Sequence, residues 1–368
     1  MQSVKREPAV PMTRTTKRQG QLIAKALTGA WRSKDLPELA LSESELDEVA
    51  PLLMGSGAAA LGWRRISDSC LRESSSGELL HQAYRLQLLQ SDIQEQKIEK
   101  AFRLLREASV EAILAKGWAV AALYPSRTLR PYGDIDICVR PKDYRLVEEL
   151  FSQPDATECP IDLHRHFSEI ANRSVDELLS RSRFQQVGQE QLRVLSDEDH
   201  LALLSIHLLK HGAWRPLWLC DVAVAMESAS ASFDWDLCLG KDSTRANWIR
   251  CAFALAHRLL GARTDKLPSE VGSLTLPGWL KETVLKQWSN PFASGQAPMN
   301  HPMPMALLLR QPLNLFDGVR QRWPNPIIAT ISVHGRLNNL PRLPYQIANC
   351  VSRAARFFLP ATDQLQEH

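Results

Sequence analysis

The apolar spacing of this chain changes period near residue 110 and changes back near residue 195, which limits the folds open to it. From Gln21 to about Leu114 apolar residues recur at helical spacing. The pattern is most regular at Leu80, Ala83, Leu86, Leu89, Ile93, Ile98, Phe102 and Leu105, with charges between them. That stretch predicts one long amphipathic helix or two in succession. Ser42-Glu43-Ser44-Glu45 offers a cap for an earlier helix over Leu46, Val49 and Leu52 to Met54. After that come short β-rich runs: Ala112 to Ala115, Ile135 to Val139, Ile161 to His164 and Gln191 to Leu195. Pro141-Lys142-Asp143 opens a helix through Phe151 among them. Ser196 then caps a helix through Leu209, and helical patterning continues to about Ser289.

This pattern predicts an α+β fold divided as follows. Residues 1–20 read as a disordered basic tail, 21–109 as a helical region, 110–195 as a small α/β core and 196–290 as a helical domain. Residues 291–368 read as a Pro-rich segment followed by an amphipathic helix from Pro344 to Phe358. No internal repeat is visible.

Composition narrows the partners. The net charge of +3 does not imply nucleic-acid binding. Both ends are basic: Met1 to Lys34 holds eight Lys or Arg against Glu7, and Arg310 to Arg356 holds seven Arg against Asp317. We read them as solvated ends. The seven cysteines are scattered without a C-x-x-C pair, which argues against a disulfide framework or a thiolate zinc site and for a reducing compartment. No apolar run reaches membrane-spanning length, and the basic N-terminus lacks the apolar stretch of a secretory signal. The expected location is the cytoplasm.

The chemistry centres on Gly133-Asp134-Ile135-Asp136. On a strand, period two sends both carboxylates to one face. Adjacent carboxylates repel, so they call for a cation or a proton. Mg²⁺ or Mn²⁺ meets that need and also binds substrate phosphates. A lone D-x-D is more often a turn or a solvated edge. Here Ile135, Ile137 and Val139 predict that the strand's other face is buried. Gly133 removes a side chain where a bulky ligand would approach. Asp162, with His164 on the same face, supplies the third carboxylate of a two-metal phosphoryl-transfer site. His164 and His166 are candidates for positioning an acceptor or its proton.

Lys116-Gly117, Tyr124-Pro125, Arg130-Pro131-Tyr132-Gly133-Asp134-Ile135-Asp136 and Ile161-Asp162-Leu163-His164 resemble an uncharacterised bacterial family of the polymerase-β-like nucleotidyltransferase superfamily. So do Leu208-Leu209-Lys210-His211-Gly212, Trp218-Leu219-Cys220-Asp221 and Arg322-Trp323-Pro324-Asn325-Pro326. The resemblance implies a small mixed-sheet nucleotidyltransferase core flanked by N-terminal and C-terminal helical regions. It implies that Asp134 and Asp136 form the metal-binding pair and Asp162 the third carboxylate. It also implies that Gly117 opens the segment receiving the triphosphate, where free N–H groups favour anions. The superfamily usually places Ser after that glycine; this chain has Trp118, so Lys116 or Arg130 would supply the missing charge.

Lys210 is a candidate triphosphate contact from the helical region, against the alternative of a surface lysine. His207 and His211 have the spacing of a zinc pair, but without H-E-x-x-H or an obvious third ligand a buried or capping pair fits better. Trp214 and Trp218 read as core. The leading reading is a metal-dependent transferase of AMP from ATP to an acceptor hydroxyl, with pyrophosphate released. The acceptor is expected to be a small molecule, peptide or protein rather than nucleic acid. The alternatives are a catalytically degenerate nucleotide-binding module and, last, a metal-dependent hydrolase built on His207 and His211.

Overall fold

The computed structural model describes residues 12–154, 156, 158–269, 276–289 and 323–358. Most helices form where the apolar spacing predicts them. Helix α1 spans Met12–Leu27 and so begins inside the segment read as a disordered tail. Its Leu22, Ile23, Ala26 and Leu27 are buried, while Lys17 pairs with Glu282 and Arg18 with Glu48. The buried residues lie in the part read as helical, and the helix extends back from them through the polar residues of the tail. Residues 1–11, the rest of that tail, lie outside the described residues.

Helix α2 (Glu43–Gly55) starts with the expected capping box, Ser42 accepting from the Glu45 N–H and Glu45 from the Ser42 N–H. Helix α3 (Ala59–Ile66) follows, and then α4, one unbroken helix over Ser75–Glu107. At 33 residues it is about 50 Å long.

The sheet has five strands in the order β3-β2-β1-β5-β4. They are β1 (Ala112–Ala115), β2 (Ile135–Val139), β3 (Ile161–His164), β4 (Arg183–Val187) and β5 (Glu190–Val194). β1 runs antiparallel to β2 and parallel to β5; β2 and β3 are parallel; β4 and β5 are antiparallel. β4 was not expected from the sequence. Arg-Phe-Gln-Gln-Val has one buried residue, as an edge strand allows, and only its pairing with β5 defines it. Short helices α5 (Gly117–Ala121), α6 (Tyr144–Phe151) and α7 (Val175–Arg181) connect the strands. The α6 start lies a few residues later than Pro141 predicts.

The two faces of the sheet bury different partners. Ala112, Leu114, Ile135, Ile137, Val139, Leu192 and Val194 join Ile98, Phe102 and Leu105 of α4 in one core. Ile113, Ala115 and Cys138 belong to the other, with residues of the helices that follow, the last of them (Leu343–Phe358) excepted. Those are α8 (Asp197–Lys210), capped by Ser196, α9 (Pro216–Ser228), α10 (Trp235–Leu239), α11 (Ser243–Leu260), α12 (Gly278–Trp288), α13 (Pro326–Ser332) and α14 (Leu343–Phe358). Among the described residues no helix is long and apolar enough to cross a membrane, and all seven cysteines are free thiols. The Pro-rich stretch 291–322, including Arg322, lies outside the described residues.

Candidate active site

β2 divides its residues as the sequence predicts. Ile135, Ile137 and Val139 enter the core against α4, and Asp136 emerges on the opposite face. Asp134 does not share that constraint. The strand begins at Ile135, so Asp134 lies in the bend before it, exposed, where strand alternation does not fix its carboxylate. β3 runs parallel beside β2 and puts Asp162 directly across from Asp136. His164, two residues on, brings Nε2 to 3.4 Å from Asp136 Oδ1 and 3.3 Å from Asp162 Oδ2. Asp136, Asp162 and His164 have ligand atoms within 4.8 Å of one another. The two carboxylates suit a hard divalent ion, and His164 would join them as a ligand only in its neutral form. The group thus contains one member of the expected D-x-D pair, and Asp134 lies outside it.

After β1 the chain turns sharply, with φ +51° at Lys116 and +24° at Gly117. This left-handed turn brings Lys116 Nζ to 2.9 Å from Asp136 Oδ1, with both side chains 13% exposed. Burial would raise the Asp136 pKa, but His164 and Lys116 outweigh it and hold the carboxyl low. Burial would lower the His164 pKa; its hydrogen bonds to Asp136 and Asp162 instead raise it to about 9. Asp136 is therefore already neutralised by side chains of the chain itself.

These groups open into a cavity of about 430 Å³ between the sheet and α8 and α9. Lys116, Gly117, Gly133, Asp134, Asp136 and Asp162 line the sheet side; Leu204, His207, His211, Arg215, Trp218 and Asp221 line the helical side. Nothing lies within 4 Å of where a side chain on Gly133 would begin, so the wall is open there. A family model described as an uncharacterised nucleotidyltransferase matches residues 42–261, a span that includes the sheet and this whole cavity.

The chain belongs to that nucleotidyltransferase family.

No curated protein and no solved structure gave a significant match.

Several of the candidate site residues stand differently from their sequence reading. Trp118, which replaces the usual Ser, does not fill the cavity. It is 1% exposed in the core on the other side, with Nε1 donating to Glu95 and the Arg127 guanidinium 4.5 Å from its ring. Arg130 lines the cavity, but its charge is taken up by Asp221: Nη2 is 2.8 Å from Oδ2, and Tyr124 donates to Oδ1 at 2.8 Å. Lys210 is not in the cavity wall; its ammonium bonds Ser168 Oγ at 2.7 Å. His166 is exposed and also outside the lining. His207 Nδ1 lies 3.1 Å from Glu169 Oε1, and His211 ends α8, so the pair is bound into the wall. Among the described residues it does not belong to a three-ligand cluster, which removes the structural support for a histidine-based hydrolase.

Sequence reasoning missed Glu169 and Arg215. Glu169 is buried in the cavity wall, and the neighbouring His207 and Lys116 hold its carboxyl well below the usual range against the opposing effect of burial. Arg215 sits at the start of α9, one residue before Pro216. No motif flags either one, because their partners come from elements distant in sequence.

Proposed function

We propose that this chain transfers a nucleoside monophosphate, AMP from ATP, to an acceptor hydroxyl and releases pyrophosphate, in dependence on Mg²⁺ or Mn²⁺. One observation carries the reading. Asp136 and Asp162 stand side by side on adjacent parallel strands and open, with Asp134, into one cavity of a nucleotidyltransferase-family chain. Asp134, Asp136 and Asp162 would hold the divalent ion, which when bound offsets phosphate charge and makes the acceptor hydroxyl more acidic.

The acceptor oxygen forms a bond to the α-phosphorus as the bond from that phosphorus to the bridging oxygen breaks. The electron pair leaves with pyrophosphate, and the acceptor proton passes to solvent. Asp162, the most exposed of the paired carboxylates, orients the acceptor hydroxyl. Lys116 exchanges part of its contact with Asp136 for the phosphates, and Gly117 and Gly133 leave room for them. A net charge near neutrality favours a small molecule, peptide or protein as acceptor over nucleic acid.

A second reading has its own support. Lys116 and His164 neutralise Asp136 without any ion, as a nucleotide-binding module that has lost catalysis would allow. Incubation with Mg²⁺ and each α-labelled nucleoside triphosphate separates the two. Transfer predicts labelled product, including self-labelled chain, in amounts matching the pyrophosphate released, and loss of both with EDTA. Saturable ATP binding with no pyrophosphate would establish the module instead.

A further inference from the structure

Three cations line the cavity, and two have their charge taken up: Lys116 by Asp136 and Arg130 by Asp221. Among the described residues no carboxylate lies within ion-pair distance of the third, Arg215. Its Nε donates to the Ser56 carbonyl at 2.7 Å, and its guanidinium lies 5.7 Å from the Trp218 ring centroid. Gly57, at φ +74°, makes room for it, since a side chain there would collide with Nη2. The arginine's two terminal nitrogens make no hydrogen bond among the described residues, are not among the sealed-off polar atoms, and belong to a side chain that lines the cavity. Burial and the nearby Arg130 charge lower its pKa to about 10 against a weaker pull from Asp221, whose carboxylate is already bound by Arg130 and Tyr124. A desolvated cation without a counter-charge is unfavourable unless an anion completes it.

We infer that Arg215 is the anchor for the outer phosphates of the nucleotide, so that the polyphosphate subsite lies on the α9 wall, facing the carboxylates. The assignment rests on the transferase reading for the identity of its ligand. The planar fork of an arginine suits two phosphate oxygens at once. The charge of departing pyrophosphate would then collect beside Arg215, away from Asp136 and Asp162.

Calorimetric titration of the full chain with inorganic tripolyphosphate, ATP and adenosine tests this in wild type, Arg215→Gln and Arg215→Lys. The glutamine variant should bind tripolyphosphate and ATP about 10- to 100-fold more weakly, with adenosine unchanged, and lysine should restore part of the loss. The ligand-free melting temperature of Arg215→Gln should hold or rise, and tripolyphosphate should no longer raise it. Wild-type affinity for tripolyphosphate in Arg215→Gln overturns the inference. So does a drop in ligand-free stability with adenosine binding lost alongside, the mark of a purely structural arginine. Tripolyphosphate bound through Arg215 by a chain that releases no pyrophosphate from ATP supports the subsite and overturns the transferase reading. Full turnover and ATP affinity in the glutamine variant overturns the subsite alone.

Discussion

At the residue scale, the two acids of the D-x-D should respond differently to the same change. Two carboxylates one residue apart suggest mutual repulsion, which would make either Asn variant as stable as wild type or more so. The structure gives Asp136 two cationic partners, Lys116 and His164, and leaves Asp134 exposed in a bend. Asp136→Asn removes the carboxylate from a mostly buried ion pair and leaves Lys116 without it. In metal-free protein that should cost on the order of 1–3 kcal/mol by denaturant unfolding. Asp134→Asn should stay within about 0.5 kcal/mol of wild type. Equal effects would contradict the asymmetry. Gly133→Ala makes a companion test: the protein has space for the methyl group, so stability should hold while ATP affinity falls if the nucleotide passes that wall. Unchanged affinity would place the nucleotide elsewhere in the cavity.

At the element scale, α9 fixes the segment that leads into β2. Asp221, at 0% exposure, accepts from Tyr124 and Arg130, and these bonds tie residues 124–130 to the helical wall of the cavity. Asp221→Asn would leave the buried Arg130 guanidinium without its counter-charge and should destabilise by about 3–5 kcal/mol. A loss below 1 kcal/mol by chemical denaturation would mean that this tie holds nothing together. The same elements explain what could be read in advance. β2 and β3 are legible because apolar residues alternate with the acids, so one period fixes both the buried face and the face carrying Asp136 and Asp162. The alternation extends the strand to Asp134, but β2 starts one residue later, so strand geometry does not fix that carboxylate. β4 carries no period, and the first half of α1 reads as a tail because the apolar face begins only at Leu22. Asp221, Glu169 and Arg215 take their roles from pairs or vacancies formed across elements, which local spacing does not encode. Arg130 reads from the sequence as a substitute for the charge lost with Trp118, and Lys210 as a triphosphate contact from the helical region. The structure shows one bound to Asp221 and the other to Ser168.

At the scale of the whole molecule, the histidines set how stability depends on pH. The folded His164 pKa is about 9, against roughly 6.5 when unfolded, so its contribution is complete below about pH 6.5 and is lost as pH rises through 9. His200 and His211 go the other way. Burial, aided by the charge of Arg183 for the first and of His207 for the second, lowers each to about 4. Their neutral forms stabilise the fold above about pH 6.5, and that stabilisation is lost as pH falls toward 4. Metal-free protein should therefore be most stable near pH 6.5, and His164→Gln should flatten the alkaline side. Thermal melts from pH 4 to 9.5 would show it; an alkaline limb identical in the variant would contradict the assignment to His164.

The central claim, that acids brought together by β2 and β3 perform nucleotidyl transfer, is tested most directly by pyrophosphate release from Mg²⁺-ATP in wild type, Asp136→Asn and Asp162→Asn. ATP affinity should be measured on the same samples. The account predicts release by wild type and none detectable above background from Asp136→Asn. Asp162→Asn should lose far more turnover than ATP affinity, because that side chain acts on the chemical step. Release near the wild-type rate from Asp136→Asn would contradict it.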